Sequence, residues 1–531
     1  MGQIVVFSKS SCPHCVEAKS TLGDLGIPFT EVDIESDLRN SMLMSYASKC
    51  HTVPQIFFND EHIGGARELK QLKTDDIKSK AEQALAAVND PAFLSTPLDS
   101  EELRNAVIPI KDFLDPYLPE NFVDLPDYKA IRLWYGQMFG FLCNCYDQMT
   151  LKPEPMSLFM PVLSSMMEVL AKEVGANGFG IACMSTAFAA DCAYCAAHGA
   201  DLTMKYGGHS DHKIKELYDY LRGDIPLEQL PFDEELKVVI LLASRMSTQS
   251  ITQEDMDYAR SVFGVDRLRD ACESIAAMGG IMGFLNRWND LIGVEIEASI
   301  KKTIDNSALA EQWDWGTHDT EDNKNRHVIQ DPNKKQGAPS EEQFRQLTQK
   351  VRNDVFAERE ALIDQYLQYD QALLPSWMAI LPTKDTTRGT AAFYHACLNS
   401  GEVSSELKHL ANYAMLLGAG YPDMAAEELR IAELLCEAPE NFSARVAAIK
   451  QMALGEIAES DVLNTTEIAA IKLAKQGQTF PHIVRGDLVM ELAREFKPAQ
   501  ITELVMALAV TGIGQRWVGM NRPFNEYLHR S

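Results

Sequence analysis

Two cysteine pairs in this chain have the spacing of redox chemistry. They are Cys12-Pro13-His14-Cys15 and Cys192-Ala193-Tyr194-Cys195, the second followed by His198. Thiols three positions apart on a helix lie about one turn apart, so one can attack a disulfide and the other can resolve the mixed disulfide it leaves. Cys12 falls where an apolar strand gives way to a helix. Orphan backbone N–H groups and the positive end of the helix dipole favour a thiolate there, and Lys9 adds a positive charge. Pro13 suits the first helical turn, where its missing N–H costs nothing, and Cys15 follows as the resolving thiol. At the second pair, Cys192, Cys195 and His198 fall on one helical face. An imidazole there can take the proton of Cys195, and the thiolate can attack a peroxide oxygen or a disulfide sulfur. Cys192 can then condense with the sulfenic acid and close a disulfide. Two cysteines and one histidine lack an obvious fourth ligand, so no metal site is expected.

The remaining cysteines read as packing. Cys143 and Cys145, two positions apart on a helix, would point about 160° from each other. Cys397 and Cys436 lie alone. Eleven cysteines, an odd number, do not make a disulfide scaffold. Close pairs in a reducing compartment mean redox or metal chemistry more often than structural bridges.

The elements that must position the first pair are strands and helices in the order βαβαββα. Ile4–Ser8 reads as a buried strand, Cys15–Leu25 as a helix stopped by Gly26 and Pro28, and Phe29–Ile34 as a second strand. Asp37–Lys49 reads as a helix, Pro54–Phe58 and His62-Ile63 as strands, and a last helix runs from Gly65 into the 80s. Residues 89–100 read as a linker. Apolar residues recur at helical spacing over 101–304, fail over a polar, breaker-rich stretch at 305–340, and resume over 341–531. The two helical stretches read as a diverged repeat: Asp233–Leu241 can be laid on Thr465–Leu473, and Asn286-Arg287-Trp288 on Gln515-Arg516-Trp517. The second copy carries neither Cys nor His where the first has its pair.

With 49 Lys+Arg against 76 Asp+Glu the net charge is −27, which repels phosphate backbones and anionic lipid, so neither nucleic acid nor membrane is an expected partner. No apolar run approaches the length of a membrane span. The chain enters an apolar strand at Ile4 with no basic n-region before it, so a cytoplasmic location is expected.

Val6–Cys15, Thr52–Phe57 and Ile63-Gly64-Gly65 resemble, in order, three segments of the glutaredoxin family: its dithiol active site, its cis-proline segment and its glycine pair. The resemblance covers residues 1–88. It implies a thioredoxin-like fold with Val53-Pro54 cis and Cys12 and Cys15 as the catalytic thiols. It also implies a glutathione site in which the backbone of Val53 pairs with the tripeptide, Lys9 meets a carboxylate, and Pro54, Gly64 and Gly65 line the groove. The family usually places an acidic residue after the glycines, against the γ-glutamyl amine; here Ala66-Arg67-Glu68 follows, and Glu68 is the available substitute.

Ala189–His198, with Phe284–Val294, resembles the alkylhydroperoxidase D-like branch of the carboxymuconolactone decarboxylase-like families, which are all-helical. The match implies Cys195 as peroxidatic thiol and Cys192 as resolving thiol. Members carry a glutamate twelve residues before the first cysteine; here that position is Gly180, and Glu168, Glu173 and Asp191 are the nearby acids. The expected architecture is therefore multidomain: a thioredoxin-like α/β domain followed by two all-α alkylhydroperoxidase D-like domains, the second degenerate. The expected activity is glutathione-linked thiol–disulfide exchange with thiol peroxidase activity. In it the Cys12/Cys15 dithiol reduces a Cys192–Cys195 disulfide formed by small hydroperoxides or protein disulfides. Self-association through the helical domains is a further expectation. The rival is a glutaredoxin tethered to a chemically silent helical module that targets it to a client.

Overall fold

Ile4–Ser8 forms β1, with all five side chains buried, as an uninterrupted apolar run requires. Its alternate residues feed two cores. Ile4 and Val6 pack with Ala18, Leu22, Ile56 and Phe58 on one face. Val5 and Phe7 pack with Ile34, Phe57 and Phe93 on the other. β2 (Thr30–Asp33) runs parallel to β1, β3 (Gln55–Phe58) antiparallel to it, and β4 (Glu61–Gly64) antiparallel to β3, giving the order β2-β1-β3-β4. With α1 (Pro13–Asp24), α2 (Ala66–Gln71) and α3 (Thr74–Leu85) this is a thioredoxin-like domain.

The computed structural model describes residues 3–9, 12–34, 40, 43–44, 47–48, 50, 53–95, 109–119, 121–138, 143–205, 207–315, 318, 339–484 and 486–530. The helix expected at 37–49 lies mostly outside these residues, although 40, 43–44 and 47–48 are helical. Thr52, the end of the first linker (96–100) and most of the second also lie outside them.

Three expectations need correcting. The last helix of the α/β domain is two helices, α2 and α3, broken at Leu72-Lys73, where both residues are extended. The first linker starts later than residue 89, because Ala92–Ser95 forms a 3-10 turn whose Phe93 packs 4.6 Å from the Phe57 ring. The polar stretch at 305–340 begins folded, with the Trp313 ring packed 5.5 Å from that of Tyr218 and His318 buried.

The chain forms two compact units. One comprises Met1–Phe122 with Val484–Pro498, the other Val123–Ile483 with Ala499–Ser531. The boundary expected between 304 and 341 therefore does not separate two bodies. Among the described residues the second unit contains helices and turns and no strand. The helices that place its site are α4 (Gly175–Phe188), α5 (Ala193–Lys205), α6 (Glu234–Ser247) and α7 (Gln253–Ile292), which is bent at Gly264. α8 (Ser405–Gly418), α9 (Pro422–Leu435), α10 (Thr465–Gln476) and α11 (Pro498–Arg530) follow.

Asp233 caps α6 by accepting from Leu236 N–H at 2.9 Å, and Asn464 caps α10 by accepting from Glu467 N–H at 2.9 Å. The caps thus set Asp233 against Asn464, one position from the alignment read in the sequence. α7 and α11 cross at glycines: a Cβ on Gly283 would strike the Gly512 carbonyl, and a Cβ on Gly512 the Gly283 carbonyl. Beside this crossing Arg287 Nη2 donates to Gln515 Oε1 at 2.6 Å, Arg516 Nη1 donates to Ser247 O at 2.8 Å, and Trp288 and Trp517 are both fully buried.

Backbone-to-backbone contact leaves no room for a methyl group. Gly283→Ala should destabilise the protein by about 1–3 kcal/mol, the usual cost of overpacking, and lower its Tm. Gly23→Ala, on exposed α1 with nothing within 4 Å of the added carbon, should be neutral or stabilising by about 0.5–1 kcal/mol. Thermal melts followed by circular dichroism check both.

Candidate functional site

The first dithiol sits where β1 ends. Cys12 has extended backbone and caps α1; its Sγ accepts the Cys15 N–H at 3.1 Å. Its S–H lies 3.6 Å from the carbonyl oxygen of Val53. Pro13 occupies the first helical position, as its chemistry suggests. Cys15 is fully buried, and its pKa is pushed up to about 12, by burial first and then by the hydrogen bond with Cys12. It therefore stays a thiol while a backbone N–H is aimed at the sulfur of Cys12. This asymmetry is what separates an attacking thiol from a resolving one.

The residues expected to line a glutathione groove are placed as follows. The Val53-Pro54 peptide is cis. Gly64 adopts φ +102°, open to glycine, and a Cβ on Gly65 would sit 3.3 Å from the Pro54 carbonyl, tighter than most side chains tolerate. Glu68 turns back onto the glycine pair, where its Oε2 accepts the Gly65 N–H at 2.9 Å, while Arg67 is exposed. Lys9 is already engaged: Nζ donates to the carbonyl of Pro116 at 2.8 Å. Pro116 lies in the 3-10 turn Asp115–Tyr117, and Tyr117 Oη donates to Ile34 O at 3.4 Å in the same place.

The second dithiol starts α5. α4 and α5 cross so closely that a Cβ on Gly180 would collide with the backbone of Thr203, and one on Gly199 with the backbone of Met184. No glutamate fits at position 180. Two of the nearby acids are committed elsewhere: Glu168 pairs with Arg352 at 2.9 Å and Glu173 with Arg267 at 2.5 Å. The carboxylate comes instead from Glu297, whose Oε2 lies 2.9 Å from His198 Nε2. Its Oε1 accepts from Asn144 N–H at 2.6 Å and from Tyr194 Oη at 2.8 Å. Burial works against both charges. Even so, the His198 pKa stands well above its ordinary value, because the Glu297 carboxylate and the neighbouring Cys143 outweigh the desolvation. The Glu297 pKa is held down, against burial, by the His198 charge and these hydrogen bonds. Both directions favour an imidazolium beside a carboxylate.

Cys143 also corrects the sequence reading. It precedes a 3-10 turn, Asn144–Tyr146, rather than lying on an α-helix, and its Sγ lies within 4.8 Å of the ligand atoms of His198 and Glu297. Cys195 receives a hydrogen bond from Asn289 Nδ2 at 3.1 Å. With Cys143, Cys145, Cys183 and His198 it lines an apolar cavity of about 70 Å³. Cys192, 1% exposed, is pushed well up by burial first and then by its bond to Cys195. It lies within 4.8 Å of the ligand atoms of Asp290 and His318.

Sequence reasoning thus found Cys192, Cys195 and His198 but missed Cys143, Glu297, Asn289, Asp290 and His318. Asn289 and Asp290 carried a signal, since they fall within Phe284–Val294. Glu297 and His318 carried none. In the second half, where the chemistry was read as lost, a separate buried network exists without cysteine. Tyr394 Oη donates to Glu428 Oε1 at 2.7 Å, Glu428 Oε2 meets His409 Nδ1 at 2.6 Å, and His409 Nε2 meets Asn399 Oδ1 at 3.0 Å.

A capped dithiol beside a cis-proline and a glycine pair on a thioredoxin-like sheet defines a thiol–disulfide exchange domain. The family model for glutaredoxin matches residues 4–63. Glutaredoxin 3 of Escherichia coli (strain K12) is 36% identical over 72 residues, 14% of this chain and 87% of that protein. Glutaredoxin-2 of Schizosaccharomyces pombe is 35% identical over 80 residues, 14% of this chain and 73% of that protein. Glutaredoxin-C2 of Arabidopsis thaliana is 36% identical over 75 residues, 14% of this chain and 68% of that protein. Through its N-terminal domain the chain belongs to the glutaredoxin family, which supports thiol–disulfide oxidoreductase activity with glutathione as the consistent reductant. No solved structure matches it.

With Cys12 replaced by serine, Cys15 should still resist iodoacetamide at pH 7–9, because burial, the largest cause of its raised pKa, persists in that variant. Peptide mass mapping across a pH series checks this; labelling of Cys15 near neutral pH would contradict the assignment.

Proposed function

We propose that the chain is a glutathione-linked oxidoreductase in which the glutaredoxin dithiol reduces a second dithiol, Cys192/Cys195, that consumes small hydroperoxides. The observation that carries the reading is the His198–Glu297 ion pair on the cavity that Cys195 lines. The cavity holds a molecule of only a few heavy atoms. There the Cys195 sulfur attacks the terminal peroxide oxygen, an S–O bond forms as the O–O bond breaks, and the thiol proton ends on the departing alkoxide. The ion pair can relay that proton, the carboxylate accepting and the imidazolium donating. Cys192 then attacks the sulfenic acid, and a disulfide and water result. Two electrons from Cys12/Cys15 reopen the disulfide, and two glutathione molecules restore that pair as glutathione disulfide.

The alkylhydroperoxidase D-like assignment of the helical unit belongs to this proposal. Its support is the position of the Cys-x-x-Cys at the start of α5 and the reciprocal Gly283–Gly512 crossing, the arrangement expected of two copies of one module. A chemically silent helical unit that directs the glutaredoxin to a client is the second reading. It is favoured by burial, since Cys192 and Cys195 are 1% and 3% exposed.

Glutathione-dependent peroxide consumption should vanish in Cys195→Ser while disulfide reduction by Cys12 persists, and should fall by about 10²-fold in Glu297→Gln as relay is lost. Equal consumption by wild type and Cys195→Ser selects the silent reading. A Cys15→Ser chain should also trap a Cys12–Cys192 mixed disulfide within one molecule, detected by peptide mapping without reductant. A trap found only between separate chains rejects the internal relay.

A further inference from the structure

Cys192, Asp290 and His318 come from three places: the cap position of α5, the end of α7, and the stretch read in sequence as a polar linker. All three are buried, and their ligand atoms lie within 4.8 Å of one another. The orientation of His318 is fixed. Its main-chain carbonyl accepts from Ile296 N–H at 2.9 Å, and its ring Nδ1 meets the Val294 carbonyl at 2.7 Å. A carbonyl can only accept, so Nδ1 carries the proton and Nε2 is turned toward Asp290. Metal-bound histidines are held in just this way.

The decisive quantity is the distance from His318 Nε2 to Asp290 Oδ1, 3.3 Å, across a buried carboxylate that the Cys192 thiol also meets. A charge-assisted hydrogen bond would be about 2.7–2.9 Å. Nitrogen and oxygen ligands at about 2.0–2.2 Å from one tetrahedral ion stand roughly 3.3 Å apart. The other carboxylate oxygen, Oδ2, is approached by His482 N–H at 3.5 Å.

The surroundings favour a cation. A cavity of about 240 Å³ lined by Cys192, Asp191 and Asp314 offers an approach path. Among the described residues the one basic side chain lining it, Arg222, is paired with Asp224 at 3.3 Å.

We propose that Cys192, Asp290 and His318 bind a divalent transition-metal ion of the zinc class, with the fourth position taken by water. One sulfur, one imidazole nitrogen and one carboxylate oxygen suit a borderline-soft ion and disfavour magnesium or calcium. Binding replaces the Cys192 thiol proton by the metal, Cys192–SH + M²⁺ giving Cys192–S–M⁺ + H⁺, so only the reduced chain binds. The inference stands independently of whether Cys195 turns over peroxide.

Cobalt(II) is the probe, titrated into the reduced full-length chain carrying Cys12→Ser and Cys15→Ser to silence the other dithiol. One equivalent should bind with tetrahedral visible bands and a thiolate-to-cobalt charge-transfer band in the near ultraviolet. Cys192→Ser should abolish the charge-transfer band, and Asp290→Asn, which keeps the shape and removes the charge, should weaken binding at least tenfold. Cys143→Ser should change neither. Absence of the band in the parent chain overturns the site, as does a band that survives Cys192→Ser or disappears in Cys143→Ser. Circular dichroism of each variant identifies any loss caused by unfolding. Where Cys192→Ser unfolds, the isosteric Asp290→Asn decides: a tenfold loss of cobalt affinity supports the site, and unchanged affinity overturns it.

Discussion

The helical unit depends on keeping one carboxylate charged in its interior. Moving an ion such as Glu297 out of water costs several kcal/mol even after relaxation, and only good geometry on every lone pair recovers it. Glu297 has that geometry: a main-chain N–H from a 3-10 turn, a tyrosine hydroxyl from α5 and an imidazolium one turn further along α5. Each donor belongs to a different stretch of chain or a different turn of helix. The carboxylate therefore fixes the register of α5 against the segment after α7 and against the turn at 143–146. The close α4–α5 crossing is the other half of the same constraint. Gly180 and Gly199 bring the helices together and leave no volume for an acid on α4.

The two cysteine pairs sit in opposite environments. Cys12 uses a helix start, where a backbone N–H faces its sulfur, and Cys15 is disarmed by burial. Cys192 and Cys195 lie among apolar side chains, where burial pushes the Cys192 thiol up, and few polar groups reach them: Asn289 on Cys195, and Asp290 and His318 beside Cys192. The first arrangement suits exchange with many partners. The second admits little beyond a small molecule through the cavity at Cys195, while Cys192 faces a larger opening of its own.

The α/β domain was legible in the sequence because its signals are local. A β-branched run gives β1, a Cys-Pro step gives the start of α1, and Pro54 and the glycine pair mark the groove. What sequence missed there was a break at Leu72-Lys73, which has no glycine or proline to announce it, and the engagement of Lys9 by a carbonyl more than a hundred residues away. In the helical unit the dithiol and His198 were legible for the same reason: they share neighbouring turns of one helix. Glu297, His318 and Cys143 were not. Their partners are distant in sequence, and a periodicity argument assigns Cys143 to an α-helix where the chain instead enters a 3-10 turn. The N-caps of α6 and α10 fall within one position of the overlay of Asp233–Leu241 on Thr465–Leu473, and a cap fixes a helix start more sharply than apolar spacing does.

The contact between Gly283 and Gly512 carries a consequence for how the two halves can change over time. Their meeting point is main chain on main chain, so neither position can accept a side chain, however small, by adjusting the other, which has no side chain to shorten. Everywhere else a substitution on one helix can be answered across the interface. Substitution can therefore alter the rest of this crossing and still leave this pair of positions fixed.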